Sequence, residues 1–264
     1  MPTTPSPSLL HLVRHGESAA NVARYAALAA DAAEVDLPLR DVDVPLSARG
    51  ERQADALGHW FSTRPDAERP TVVIASPYVR ARETARRMVA AGAMARGNGA
   101  EPRVVLDERL REKELGIFFR LTRRGVQERH PEQWALRAQL GRFYYRPPAG
   151  ESWADVILRL RSALDTIALR YPGERVLVVC HQVVILCVRY LLEEMTEEEI
   201  IAVVREHDVA NCSLTTYRRD ADGARQGAWH RALVLDRFNF TVPLAEEGVA
   251  VTTEPDAGGG QTRG

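Results

Sequence analysis

A chain of 264 residues, 45% hydrophobic and 27% charged, has enough apolar material for a full core and excludes a mostly disordered protein. A net charge of -1 excludes a global pull toward nucleic acid or anionic lipid. No apolar run approaches the ~18 residues a membrane span needs, and the N-terminus lacks the charged-then-apolar pattern of a signal peptide, so a cytoplasmic protein is expected.

In chain order, residues 1–8 read as a disordered leader carrying Pro2, Pro5 and Pro7, followed by a folded domain over 9–245 and a flexible tail over 246–264. Short apolar runs at 9–13 (LLHLV), 71–75 (TVVIA), 103–106 (RVVL) and 175–180 (RVLVVC) predict buried strands. Between them, Ser47 is placed to cap a helix with Ala54, Leu57 and Phe61 on one face. Residues 80–91 predict a second helix that stops at Gly92. Ser152 and Asp155 form an S-x-x-D cap, and Val156, Leu160, Leu164 and Ile167 supply the buried stripe of a third. Residues 214–217 and 232–235 predict late, antiparallel strands. Buried strands separated by helices argue for a three-layer α/β/α sandwich with a mainly parallel central sheet. Cys180, Cys187 and Cys212 lack metal or disulfide spacing and read as reduced core thiols.

In such a fold, chemistry gathers where strands end. The first predicted strand runs into Arg14, His15, Gly16, Glu17 and Ser18, with Asn21 following. The second leads through Ser76 and Pro77 to Arg80, and the fourth ends at His181 and Gln182. Glu112 lies on a loop after the third. Two histidines, two arginines and a glutamate at one sheet edge would form a dianion pocket. Arg14 and Arg80 suit phosphate oxygens in fork geometry, and one neutral imidazole can attack phosphorus while the other holds charge in transit. A carboxylic acid beside them can protonate the leaving oxygen and then activate water. Gly16 is expected to let backbone approach the phosphate. No H-x-x-x-H spacing supports a metal site, and neither metal nor cofactor is expected.

These segments, in this order, resemble the histidine phosphatase superfamily in its phosphoglycerate mutase-like branch. LVRHGESAAN is similar to the opening motif of that family, SPYVRARETA to its phosphate-arginine element, LREKELG to its L-x-E-x-x-x-G loop and VVCHQ to its second-histidine motif. The resemblance implies that His15 becomes phosphorylated, that Glu112 donates the proton, and that Arg14, Arg80 and His181 hold the phosphoryl group. Ser18 and Asn21 would add neutral donors.

Two further segments, FYYRPPAGESWADVILRL and VLVVCHQVVILCVRYLL, resemble the phosphatase half of fructose-2,6-bisphosphatases. With only residues 1–8 before the first strand, a kinase half is not expected. This narrower resemblance makes Tyr144, Tyr145, Arg146 and Gln182 candidates for the substrate pocket, with Arg123 and Arg124 as further cations. The Ala-rich residues 22–40 depart from the family and read as a surface helix rather than a pocket lid.

The expected function is metal-independent hydrolysis of a small phosphate ester, a sugar or glycerate phosphate, through a phosphohistidine on His15. The alternatives are a phosphoglycerate mutase and, from another class, a non-catalytic phospho-ligand binding protein. The expected partner is the small phosphate ester, without nucleic acid or membrane; a homodimer stays open.

Overall fold

The computed structural model describes residues 6–95, 103–220 and 232–253. The expectations for residues 1–5 and 254–264 lie outside the described residues.

Among the described residues, β1 (Leu9–Arg14), β2 (Val72–Ala75), β3 (Val104–Leu106), β4 (Arg175–Cys180), β5 (Leu214–Arg219) and β6 (Leu233–Phe240) form one sheet in the order β3-β2-β4-β1-β5-β6. β3, β2, β4 and β1 are mutually parallel, and β5 and β6 add an antiparallel edge. The period-2 alternation of the central strands divides their side chains between two cores. On one face, Leu10, Leu12, Val176 and Val178 pack with Val156, Leu160 and Leu164 of α6 (Trp153–Arg170) and with Ile185 and Val188 of α7 (Gln182–Leu192). On the other, Val13, Val73, Leu177 and Val179 pack with Ala54, Leu57 and Phe61 of α2 (Ala48–Ser62) and Ala81, Ala85 and Met88 of α3 (Val79–Ala90). This is the expected three-layer architecture.

The caps sit where the sequence places them. Ser47 accepts from Gly50 N–H at 3.0 Å, and Ser152 and Asp155 close a reciprocal capping box. Gly92 ends α3 in the left-handed region (φ 90°), a conformation that favours glycine.

Three boundaries differ from expectation. Ser6 is buried and accepts the Gly173 N–H at 2.9 Å, so residues 6–8 are anchored to the body rather than loose. Residues 246–253 are also held: α9 (Val242–Glu246) buries Leu244, and Gln53 Nε2 donates to Ala250 O at 2.9 Å. Within residues 22–40 the helix covers only the start. α1 (Ala19–Ala29) ends in a turn where Asp31 adopts φ 47°. Beyond it, Val35 and Leu37 are buried, and Val35 N–H donates to Arg120 O at 2.7 Å. The buried Val35 and Leu37 side chains pull that half onto the body as a wall instead of continuing a surface helix.

Between β3 and α6 lie α4 (Arg123–Arg129) and α5 (Pro131–Tyr144), and α8 (Glu197–Glu206) follows α7. Among the described residues, no helix is long and apolar enough to cross a membrane.

Candidate active site

Sheet register assembles the site. Arg14 pairs with Cys180 and Ala75 with Val179, so β1, β2 and β4 end at one level. Just beyond, His15 N–H donates to Cys180 O at 3.0 Å and Ser76 N–H to Val179 O at 3.0 Å. Successive strand ends therefore bring His15, Ser76 and His181 side by side.

The imidazole of His15 has a defined tautomer. Nδ1 lies 2.7 Å from its neighbour's carbonyl, Gly16 O, so Nδ1 carries the hydrogen. Nε2 accepts the Nε–H of Arg80 at 3.2 Å, as a bare lone pair must. Burial, with Arg80 and Arg14 nearby, holds the His15 pKa well below the ordinary 6.5 and keeps the ring neutral and nucleophilic.

Arg80 is fixed on three sides. Besides His15, its Nη1 donates to Asp41 O at 2.7 Å and to Asp41 Oδ1 at 2.9 Å, and its guanidinium lies over the Tyr78 ring at 4.9 Å. Arg14, also buried, donates from Nη1 to Val209 O at 2.5 Å. Glu112, on the same wall, accepts Lys113 N–H at 2.8 Å. Burial raises its carboxyl pKa, which favours the protonated acid.

Ser18 and Asn21 form a capping box at the start of α1, where Asn21 Oδ1 accepts both the backbone N–H and the hydroxyl of Ser18. Asn211, missed by the sequence reading, ties this box to the His15 loop: its Nδ2 donates to His15 O at 3.0 Å and to Asn21 Oδ1 at 3.4 Å. Thr252 in turn donates to Asn211 Oδ1 at 3.0 Å, so the C-terminal segment braces the site.

Of the expected residues, Arg14, His15, Ser18, Asn21, Arg80, Glu112, Tyr145 and Gln182 line one pocket. His181 is fully buried next to the lining residue His15, with the two rings 5.2 Å apart. Gln182 opens α7 at the pocket with its Oε1 buried and without a hydrogen-bond partner among the described residues.

Arg146 is not brought to the pocket. Its side chain is 64% exposed and forms a fork with Asp155, donating from Nε to Oδ2 at 2.7 Å and from Nη2 to Oδ1. Asp155 is the acidic member of the α6 capping box, so Arg146 reinforces a helix start. Tyr144 is likewise exposed and outside the lining, and Arg124 is exposed and paired with Asp31 and Glu128. Arg123 stacks over Trp134, 5.1 Å from its centroid.

The cations found instead are Lys113, Arg137 and Arg142, with Arg24 and Arg120 also on the wall. Lys113 is the only lysine in the chain. Burial, reinforced by Arg137 and Arg142 against the opposing pull of Glu112, lowers its pKa from 10.5 to about 8. Arg137 and Arg142 pack over the rings of Trp134 and Trp153 at 5.7 and 5.4 Å. Phe118, Phe119 and Tyr145 complete an aromatic wall.

Two motif residues serve the scaffold. Glu17 accepts Ser47 Oγ at 2.6 Å and Arg49 Nη1 at 3.0 Å. A Cβ on Gly16 would meet Gly50 O at 2.4 Å, so the close approach of the α2 backbone by itself requires glycine there. Gly16→Ala is expected to lower stability by about 1–3 kcal/mol, read as a fall in the urea midpoint; an unchanged midpoint would remove this explanation.

An α/β sheet whose strand ends gather a neutral histidine, two buried arginines and a raised-pKa carboxyl group defines a site for phosphate chemistry. A family profile for the histidine phosphatase superfamily (branch 1) matches residues 10–231, and the chain belongs to that superfamily. It is 32% identical over 199 residues to a 6-phosphofructo-2-kinase/fructose-2,6-bisphosphatase of Gallus gallus, covering 75% of this chain but 36% of that protein. It is 31% identical over 238 residues to a protein of Yersinia enterocolitica named as a probable phosphoglycerate mutase, covering 89% and 96% of the two chains. In fold it is similar to a mycobacterial glucosyl-3-phosphoglycerate phosphatase (TM-score 0.64, 22% identity, 88% of this chain and 99% of the other). It is also similar to the alpha-ribazole phosphatase of Shigella flexneri (TM-score 0.65, 20% identity, 88% and 96%).

Proposed function

We propose that this protein is a metal-independent phosphatase that hydrolyses a small phosphate ester through a phosphohistidine on His15. The observation that carries the reading is the His15 tautomer, with Nδ1–H on Gly16 O and the Nε2 lone pair beside Arg80, in one pocket with Glu112. The Nε2 lone pair attacks phosphorus, the ester P–O bond breaks, and the leaving oxygen takes the Glu112 proton. The Glu112 carboxylate then takes a proton from water, the water oxygen attacks phosphorus, and the P–N bond electrons return to Nε2. The Arg14 and Arg80 cations neutralise the transferring group, the neutral second imidazole, His181, donates its N–H to it, and Ser18 and Asn21 lie beside it. These cations supply the charge a metal provides elsewhere, so excess chelator is expected to leave the rate unchanged; a collapse would bring back a metal mechanism. Three buried free thiols suit a reducing compartment, and the reading assigns the protein to the cytoplasm.

The substrate we propose is a sugar or glycerate phosphate with a second anionic group, held by Lys113, Arg137 and Arg142, its carbon skeleton against Trp134 and Tyr145. Two of the similar proteins are named for compounds of this kind, fructose-2,6-bisphosphatase and glucosyl-3-phosphoglycerate phosphatase. Arg137→Ala is expected to raise KM about tenfold or more for a bisphosphate or phosphoglycerate and barely alter a small aryl phosphate. Because the Lys113 ammonium is charged only below its pKa of about 8, KM for the two-anion substrate should also climb above that pH. Equal losses on both substrates would refute this subsite.

The Yersinia relative favours a second reading, a mutase that returns the phosphoryl group to another substrate oxygen. Phosphorus NMR separates the two with a phosphoglycerate substrate: inorganic phosphate marks the hydrolase, a positional isomer the mutase. A binding protein without catalysis would need neither the proton donor Glu112 nor a neutral His15.

A further inference from the structure

His181 poses a question of proton placement. Burial, with Arg80 and His15 nearby, holds its pKa well below 6.5, so the ring is neutral and carries one N–H. Nε2 lies 2.8 Å from Ser76 Oγ, and Nδ1 is buried without a hydrogen-bond partner among the described residues. Ser76 Oγ already accepts the Tyr78 N–H at 3.3 Å.

Two arrangements satisfy the 2.8 Å contact. If Nε2–H donates to Ser76, the serine hydrogen has no acceptor among the described residues and the Nδ1 lone pair is also unused. If the serine donates to Nε2, every group is satisfied except one donor, Nδ1–H. The second leaves one buried polar group open instead of two, and the open one is an N–H that an incoming anion can take up. The ring is clamped edge-on between His15 and Tyr78, each 5.2 Å away, and fully buried Ser76 is pinned by its N–H to Val179 O.

We propose that Ser76 is a positioning residue: its hydroxyl donates to His181 Nε2 and holds that ring as the Nδ1–H tautomer, whose N–H then serves the transferring phosphoryl group. This rests on the phosphate-site reading above. Ser76 touches neither the nucleophile nor the proton donor; it acts through His181. Without it, the ring returns toward the Nε2–H tautomer that free histidine favours in water, and its donor is misplaced.

The test is the 15N spectrum of histidine-labelled protein at neutral pH, with the His181 signals assigned by their loss in His181→Gln. The wild type is expected to show a protonated Nδ1 and a bare Nε2. Ser76→Ala should move the pattern toward protonated Nε2, weaken orthovanadate binding about tenfold and lower kcat, while Ser76→Thr recovers both tautomer and binding. A wild-type ring protonated on Nε2 overturns the proposal whether or not the alanine variant folds. So does Ser76→Ala that keeps the wild-type tautomer. Wild-type protein that does not bind orthovanadate would instead sink the phosphate-site reading, since the tautomer is measured without ligand.

Discussion

Replacing His15 with alanine is expected to lower kcat for all phosphate esters on the order of 10^4-fold or more, because it removes the lone pair that begins the reaction. The site makes this loss specific. Nδ1 is engaged by Gly16 O, and Nε2 is the nitrogen left to attack. His181→Ala removes a hydrogen-bond donor rather than a nucleophile and should cost less, about 10^2- to 10^3-fold. Steady-state turnover of an aryl phosphate by the two variants checks the order. If His181→Ala were the more damaging, the two histidines would have to exchange roles.

The second large effect belongs to Glu112. Glu112→Gln should slow alkyl phosphates about 10^2- to 10^4-fold, because glutamine cannot protonate an alkoxide. A nitrophenyl phosphate, whose oxygen leaves without a proton, should be affected far less in the phosphorylation step. The pH dependence follows from the directions of the two shifts. The His15 pKa is lowered, so the acid limb of kcat/KM, where the ring takes up a proton, lies below that of an ordinary histidine. The Glu112 pKa is raised, so the alkaline limb, where the acid loses its proton, lies above that of an ordinary glutamate. With an alkyl monophosphate that lacks a second anionic group, Glu112→Gln should abolish the alkaline limb and spare the acid one. Equal slowing of both ester classes would move the proton donor elsewhere, with Glu114 the first candidate, although its Oε1 already accepts the Tyr78 hydroxyl at 2.8 Å.

Three of the four runs read as buried strands, β1, β2 and β4, are buried, whereas β3 lies at the sheet edge with Val105 and Leu106 40% and 45% exposed. The strands and their polar ends were legible because both are local signals. An apolar run such as RVLVVC predicts a strand buried on both faces, and the residue after it must emerge at the sheet edge. The second half of the pocket carried no such signal. α5 packs no single apolar stripe: Trp134 lines the pocket while Leu136 and Leu140 are 40% and 47% exposed, and Gly141 breaks the helix at φ 76°. Periodicity therefore could not show that Arg137 and Arg142 face inward. Arg146 looked like a pocket residue by its neighbours in the chain, but Asp155, nine positions on, holds it across the helix start. Lys113 had a signal that went unused. As the only lysine among 35 basic residues, immediately after Glu112, it stood apart from a chain-wide preference for arginine. Asp41 and Asn211 lie outside the quoted motifs and reach Arg80 and the His15 loop only through tertiary packing.

The central claim is that the phosphoryl group passes through His15. Rapid-quench labelling with a 32P-phosphate ester, followed by peptide mapping in alkaline conditions, tests it most directly. The account predicts up to one phosphate per chain, stable in base and lost in acid, on the peptide that contains His15, and none in His15→Ala. Label on a different residue, or undiminished label in His15→Ala, would contradict it.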